Sequence, residues 1–171
     1  MNKRSTFIGL DVHKDSISAA VAEHHAEPRS LGKIANTPQA IHKLMRRLGP
    51  FQNLKVCYEA GPCGYVIYRQ LSRMGIDCVV VAPSLIPKKP GVRVKTDRKD
   101  GVMLARLLRS GDLEPIWVPD ADHEALRDLS RAVEAAQGDL MRARHRIRKL
   151  LLRQGIRKPD GMNAWTYRHR E

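Results

Sequence analysis

The chain reads as an α/β domain built on a mixed five-stranded sheet with flanking helices, followed by one long helix of a different character. Three observations predict this. Short apolar runs at Thr6–His13, Ser16–Ala22, Arg29–Ala35, Leu54–Glu59 and Asp77–Ala82 have the length and bounding residues of strands. The first three follow one another with short polar connections, whereas the last two are separated by helical patterns, so an antiparallel meander should lead into parallel pairing. Finally, from Leu126 to Leu150 apolar residues recur at alternating steps of three and four, which is a heptad seam and not the broad stripe of a core helix.

In chain order, the opening run Thr6-Phe7-Ile8-Gly9-Leu10-Asp11-Val12-His13 carries an aspartate near its end, and Ser16–Ala22 follows as its hairpin partner. Arg29–Ala35 supplies the third strand. Thr37-Pro38 starts a helix, with a capping hydroxyl and a proline in the first turn. Ile41, Leu44, Met45 and Leu48 form its apolar face, and Gly49-Pro50 ends it. Leu54–Glu59 is the next strand and also finishes on a carboxylate. A turn at Ala60–Gly64 leads to a helix over Tyr65–Met74, closed by Gly75, and Asp77–Ala82 is the most apolar strand. Pro83–Val94, with three prolines and a glycine, excludes a regular element. Asp97–Ser110 is a helix with Met103, Leu104, Leu107 and Leu108 inward, and Trp117-Val118-Pro119 is a connector. Asp120 or Asp122 caps the final helix. Its seam is Leu126, Leu129, Val133, Ala136, Leu140, Ala143, Ile147 and Leu150, with Gly138 a weak point. The expected organisation is a sheet domain over 1–118, a coiled-coil segment over 119–155 and a loosely ordered basic tail over 156–171.

With 171 residues the chain holds one domain and an appendage, and its net charge of +13 favours a polyanionic partner. Membrane is disfavoured, since no apolar run approaches the roughly 20 residues that span a bilayer, and the N-terminus lacks the apolar core of a signal peptide. Cys57, Cys63 and Cys78 are too few and too irregularly spaced for a disulfide framework or a zinc site, which suits a reducing cytoplasm.

The chemistry lies in carboxylates. Asp11 and Glu59 end strands that should be central, and ligands of open α/β sheets gather at such ends. Asp97 and Asp100, three apart at a helix start, share a side, although acidic residues in a first turn also complement the helix dipole with no further role. Four carboxylates from two strands and a helix make an oxygen-rich site for Mg²⁺, with Mn²⁺ as the alternative, and two such ions clamp the oxygens of a phosphodiester. Lys88, Lys89, Arg93, Lys95, Arg98 and Lys99 surround the aspartate pair, and Arg142, Arg144, Arg146, Arg148, Lys149 and Arg153 follow on the last helix, where Leu140–Lys158 has no acidic residue. A solvated surface accounts for such runs, but beside a metal site they suit a phosphate backbone.

The motifs Gly-Leu-Asp11-Val-His-Lys14, Tyr-Glu59-Ala-Gly-Pro-Cys-Gly-Tyr65, Val-Val-Ala-Pro83-Ser and Lys95-Thr-Asp97-Arg-Lys-Asp100 resemble those of the DEDD transposases of the insertion-sequence-110 class, relatives of the Piv-type invertases. The resemblance runs from about Phe7 to Leu152. It implies a ribonuclease-H-like, RuvC-like domain whose tetrad Asp11, Glu59, Asp97 and Asp100 is catalytic and binds Mg²⁺. It also implies a coiled-coil helix after that domain, oligomers formed through the helix 120–154, and a structured bridge RNA pairing with DNA in a cytoplasmic, nucleoid-associated setting. In this family a serine of a second, C-terminal domain is the nucleophile. With Glu171 the last residue given, that domain is expected to be absent, and Ser84, Ser110 and Ser130 have no motif to replace it. Gly101 stands where an alanine is expected.

The expected function is thus the metal- and nucleic-acid-binding domain of a DNA transposase or recombinase. The alternatives are a free-standing metal-dependent resolvase-type nuclease and a non-catalytic nucleic-acid-binding fragment. A nucleotide-binding ATPase of the actin and sugar-kinase type wants a second copy of the fold and glycine-rich phosphate loops, which the sequence lacks.

Overall fold

The computed structural model describes residues 5–87, 97–161 and 165, with the backbone alone at 97–99. The chain divides into two compact units, Met1–Val118 and Pro119–Glu171.

The first unit carries β1 (Thr6–Val12), β2 (Ser16–Ala22), β3 (Arg29–Ala35), α1 (Pro38–Leu48), a 3₁₀ turn at Phe51–Asn53, β4 (Leu54–Glu59), α2 (Val66–Arg73), β5 (Asp77–Val81) and α3 (Asp97–Ser110). The strand order is β3-β2-β1-β4-β5. β2 is antiparallel to both β1 and β3, while β4 is parallel to β1 and to β5. A three-stranded meander extended by two parallel strands, with β1 at the centre, is the ribonuclease-H-like arrangement expected from the sequence.

The alternation of side chains along a strand sends successive residues to opposite faces, and here each face has its own cover. Ile8 and Leu10 of β1, Ile17 and Val21 of β2, and Val56 and Tyr58 of β4 pack with Ile41, Leu44 and Met45 of α1 and Ile67 and Leu71 of α2. Thr37 caps α1 by accepting a hydrogen bond from the Ala40 N–H at 3.3 Å, and Gly49 ends it at a φ of 137°. On the other face Phe7, Ala20 and Ala22 meet Ala105 of α3, and Cys57 and Val81 meet Leu104. The Cys57 thiol donates to the Leu104 carbonyl at 3.5 Å. Burial pushes that thiol's pKa well up, so it stays protonated and behaves as a small apolar residue. Cys78 is also held up, to about 12, by burial and then by Asp77.

The position of α3 depends on two glycines. A Cβ on Gly9 would lie 2.3 Å from the Gly101 carbonyl oxygen and 2.5 Å from the Ala105 nitrogen, so α3 lies directly on the β1 backbone. Contacts progress from Phe7 with Ala105 to Gly9 with Gly101, which makes α3 antiparallel to β1 and points its N-terminus toward the Asp11 end. Gly101 therefore has a packing role: a Cβ there would come within 3.1 Å of the Ser18 carbonyl oxygen.

The second unit is dominated by α4 (Ala121–Arg153), 33 residues long. Asp120, not Asp122, caps it, accepting from the His123 N–H at 2.8 Å. None of its residues is buried. Among the described residues no helix is long and apolar enough to cross a membrane.

Candidate functional site

Asp11 and Glu59 occupy equivalent places on neighbouring strands. Leu10 and Tyr58 are register partners across the parallel β1–β4 pair, so the next residues, Asp11 and Glu59, sit side by side on adjacent strands about 4.8 Å apart. Leu10 and Tyr58 belong to the face under α1 and α2, and the two carboxylates thus belong to the α3 face. The chain leaves β1 toward β2 on one side and leaves β4 toward β5 on the other, so the pair stands at the switch point where the connections diverge.

Each carboxylate is held by a fixed turn. The His13 N–H donates to the Ser16 carbonyl at 2.9 Å, and the Asn36 side-chain amide donates to the His13 carbonyl at 2.8 Å, so the end of β3 braces the β1–β2 turn. The His13 ring Nε2 lies 3.1 Å from Asp11 Oδ2, and the Asp11 side chain is 17% exposed. After β4, the Ala60 N–H donates to the Val81 carbonyl at 2.8 Å, and the Tyr58 hydroxyl donates to the Gly64 carbonyl at 3.2 Å. Burial raises the Tyr58 pKa, which keeps this hydroxyl a donor. The sequence reading missed His13 and Asn36 as parts of the site; a histidine two residues beyond a strand-end aspartate was the available signal.

Asp100 is half-buried on the first turn of α3, immediately before Gly101 and so on the Asp11 side of the glycine crossing. The backbone of Asp97 opens α3, while the side chains of Asp97, Arg98 and Lys99 and the whole of Lys88, Lys89, Arg93 and Lys95 lie outside the described residues. Among the described residues no three acidic, histidine or cysteine side chains already stand together as a metal-ligating group.

The donor chemistry nonetheless suits a hard cation. Asp11, Glu59 and Asp100 offer oxygens, which Mg²⁺ and Mn²⁺ prefer, whereas the nearby thiol of Cys57 is committed to Leu104. Ser18, the cross-strand partner of Asp11, is 3% exposed, and its Oγ has no hydrogen-bond partner among the described residues.

On α4, Arg142, Arg146, Lys149 and Arg153 are exposed and fall on one stripe at helical spacing, about a third of a turn from the apolar seam. Arg144 and Arg148 point to another side, and Arg144 lies 5.4 Å from the Trp165 ring centroid. A further basic face was not legible in advance: His42, Lys43, Arg46 and Arg47 of α1 and Arg73 of α2 are exposed, and neither helix contains an acidic residue.

Fold and site together define a ribonuclease-H-like α/β domain with paired carboxylates at its switch point. The family model for DEDD transposases of the IS110 type, described as a transposase, matches residues 8–155. The chain belongs to this family. It is 44% identical over 169 residues to "Putative transposase y4qE" of Sinorhizobium fredii, covering 97% of this chain and 43% of that protein. It is 35% identical over 170 residues to the transposase for insertion sequence element IS1533 of Leptospira borgpetersenii, covering 98% and 49%. The chain thus spans less than half the length of these relatives. The solved structure of T. thermophilus RuvC in complex with Holliday junction substrate aligns with 65% of this chain and 99% of its own, at 12% identity and a TM-score of 0.38. The fold assignment stands on strand order and direction, not on that last likeness.

Proposed function

We propose that these residues form the metal- and nucleic-acid-binding part of a DNA transposase or recombinase acting in the cytoplasm. Asp11, Glu59, Asp97 and Asp100 would be the catalytic tetrad holding Mg²⁺, with Mn²⁺ as a substitute. The observation that carries this reading is the placement of Asp11 and Glu59 on adjacent strands of one face, with the N-terminus of α3 brought to the same end by the Gly9–Gly101 crossing. A divalent ion there would stabilise charge developing on a phosphodiester. The protein's own share is to fix the carboxylates on rigid strand ends and to hold Asp11 through His13.

Phosphate contacts would come from the basic segment 88–99 and from the arginine stripe of α4, with DNA and a structured bridge RNA as the partners. Such contacts position a duplex without reading its sequence and weaken steeply with salt. Strand exchange also needs an activated hydroxyl. Ser110 lies ten residues from Asp100, about 15 Å along α3, and Ser18 is buried, so neither is assigned as the nucleophile. Self-association through α4 completes the reading.

The test is Mn²⁺ binding followed by electron paramagnetic resonance, together with Mg²⁺-dependent nicking of junction DNA. Asp11→Asn should weaken Mn²⁺ binding by tenfold or more, on the order of 1.4 kcal/mol, and leave folding intact, since it removes one charge from a mutually repelling set. Unchanged Mn²⁺ affinity in Asp11→Asn and Glu59→Gln would overturn the metal assignment.

A further inference from the structure

The α4 seam is exposed along its whole length: Leu126 is 67% and Leu129 63% accessible, with Leu140 at 50% and Leu150 at 51%. A continuous apolar stripe of this kind marks an interaction surface. We infer that its occupant is a second copy of the same helix lying antiparallel, centred near Gly138. This rests on the proposed self-association and adds its direction.

Two independent features of α4 carry the direction. The first is side-chain size. In a parallel pair each seam residue faces its own copy, which stacks Ala136 on Ala136 and Ala143 on Ala143 and leaves an underfilled layer on either side of Leu140. Reversing one helix about Gly138 sets Leu126 against Leu150, Leu129 against Ile147, Val133 against Ala143 and Ala136 against Leu140. Every alanine then meets a larger residue, and the two outer layers at each end are large against large. Gly138 itself lies off the seam, where the missing side chain leaves packing unaffected.

The second feature is charge. From Ala121 to Asp139 the helix carries five acidic residues against Arg127 and Arg131, whereas from Leu140 to Arg153 it carries six basic residues and no acidic one. Helices packed 8–10 Å apart are within about one Debye length of each other at physiological salt. A parallel pair brings the two basic halves together, and an antiparallel pair lays each basic half along an acidic one. Locally the terms are mixed. A parallel pair would place Asp139 near Arg144 of the second copy, and an antiparallel pair brings the two Asp139 residues near the axis. Asp139 is already paired within its own helix, with Arg142 at 2.5 Å, which weakens both of these terms.

The experiment uses two single variants of the 171-residue chain, Val133→Cys and Ala143→Cys, both small changes within the seam. Each is checked for wild-type helicity by circular dichroism, oxidised mildly alone and after mixing with subunit exchange, and its disulfides are mapped by mass spectrometry to separate them from Cys57, Cys63 and Cys78. The expected result is a 133–143 disulfide formed only in the mixture. Disulfides joining 133 to 133 or 143 to 143 in the separate samples would overturn the direction while leaving self-association standing. A dimer by sedimentation with none of these cross-links would place the contact away from the seam and overturn the inference. A monomer by sedimentation at all accessible concentrations would overturn the self-association reading as well.

Discussion

The two units treat their apolar residues in opposite ways. In the sheet unit Ile8, Leu10, Ile17 and Val56 are fully buried by partners within the same unit. In α4 the longest periodic apolar pattern of the chain buries nothing. The contrast teaches that one heptad-patterned helix cannot cover its own stripe, which stays open within the unit, whereas a sheet covered on both faces completes its own core. Stability of the first unit should therefore be a property of the chain, and stability of the second a property of what it binds.

The largest expected effect tests the second half of that statement. Leu140→Asp places a charge in the seam, at a cost on the order of several kcal/mol where the seam is packed. Self-association by sedimentation should fall by more than a hundredfold, while the denaturant midpoint of the sheet unit, read by labelling of the Cys57 thiol, should not move. A parallel loss in both readouts would break the comparison.

Gly9→Ala is the converse. The new methyl would meet the α3 backbone at 2.3 Å and would have to lift the helix, an overpacking cost of about 1–3 kcal/mol. Cys57 should become reactive at lower denaturant while α4 keeps its helicity in far-ultraviolet circular dichroism. Gly101→Ala sharpens the same contact with a smaller effect. A helix-interior alanine gains up to about 1 kcal/mol over glycine, offset by crowding of its Cβ against the Ser18 carbonyl at 3.1 Å. The net change in unfolding free energy should lie within about 1 kcal/mol of zero.

The smallest effect is confined to the start of α4. The His123 N–H and then the His123 side chain hold the Asp120 carboxyl below the usual carboxylate range. A lowered folded-state pKa means that the ionised cap stabilises the helix start above the unfolded pKa, and this is lost as pH falls through the folded value. Protection of the His123 amide, measured as its exchange relative to the intrinsic rate at each pH, should thus fall on acidification below the ordinary carboxylate range, with no matching change in protection at Leu10. Asp120→Asn, which keeps a capping oxygen, should remove the pH dependence.

Much of the sheet unit was legible from residues alone. The strands β1 to β4 fall within the apolar runs that predict them, because a run of that length bounded by turn residues has few other ways to be buried. Thr37-Pro38 and Gly49 bracket α1 for equally local reasons, and the α4 seam is a matter of spacing along one helix. The acidic positions, too, were visible as carboxylates ending strands. Their meeting was not. That Asp11 adjoins Glu59 depends on the parallel β1–β4 register, fixed by pairing across the 41 residues that separate the two strands. That Asp100 reaches the same end depends on two glycines, Gly9 and Gly101, which in the sequence look like a small residue in a strand and a weak point in a helix. Backbone-to-backbone contact leaves no periodic trace, since it is made where side chains are missing, and only the packed structure reveals it. The Ser18 hydroxyl, without a hydrogen-bond partner among the described residues, the brace from Asn36 and the basic face of α1 and α2 are likewise products of tertiary neighbours. Residue type and spacing set the elements and the chemistry on offer, while the approach of distant backbones decided which of those groups lie at the same end of the sheet.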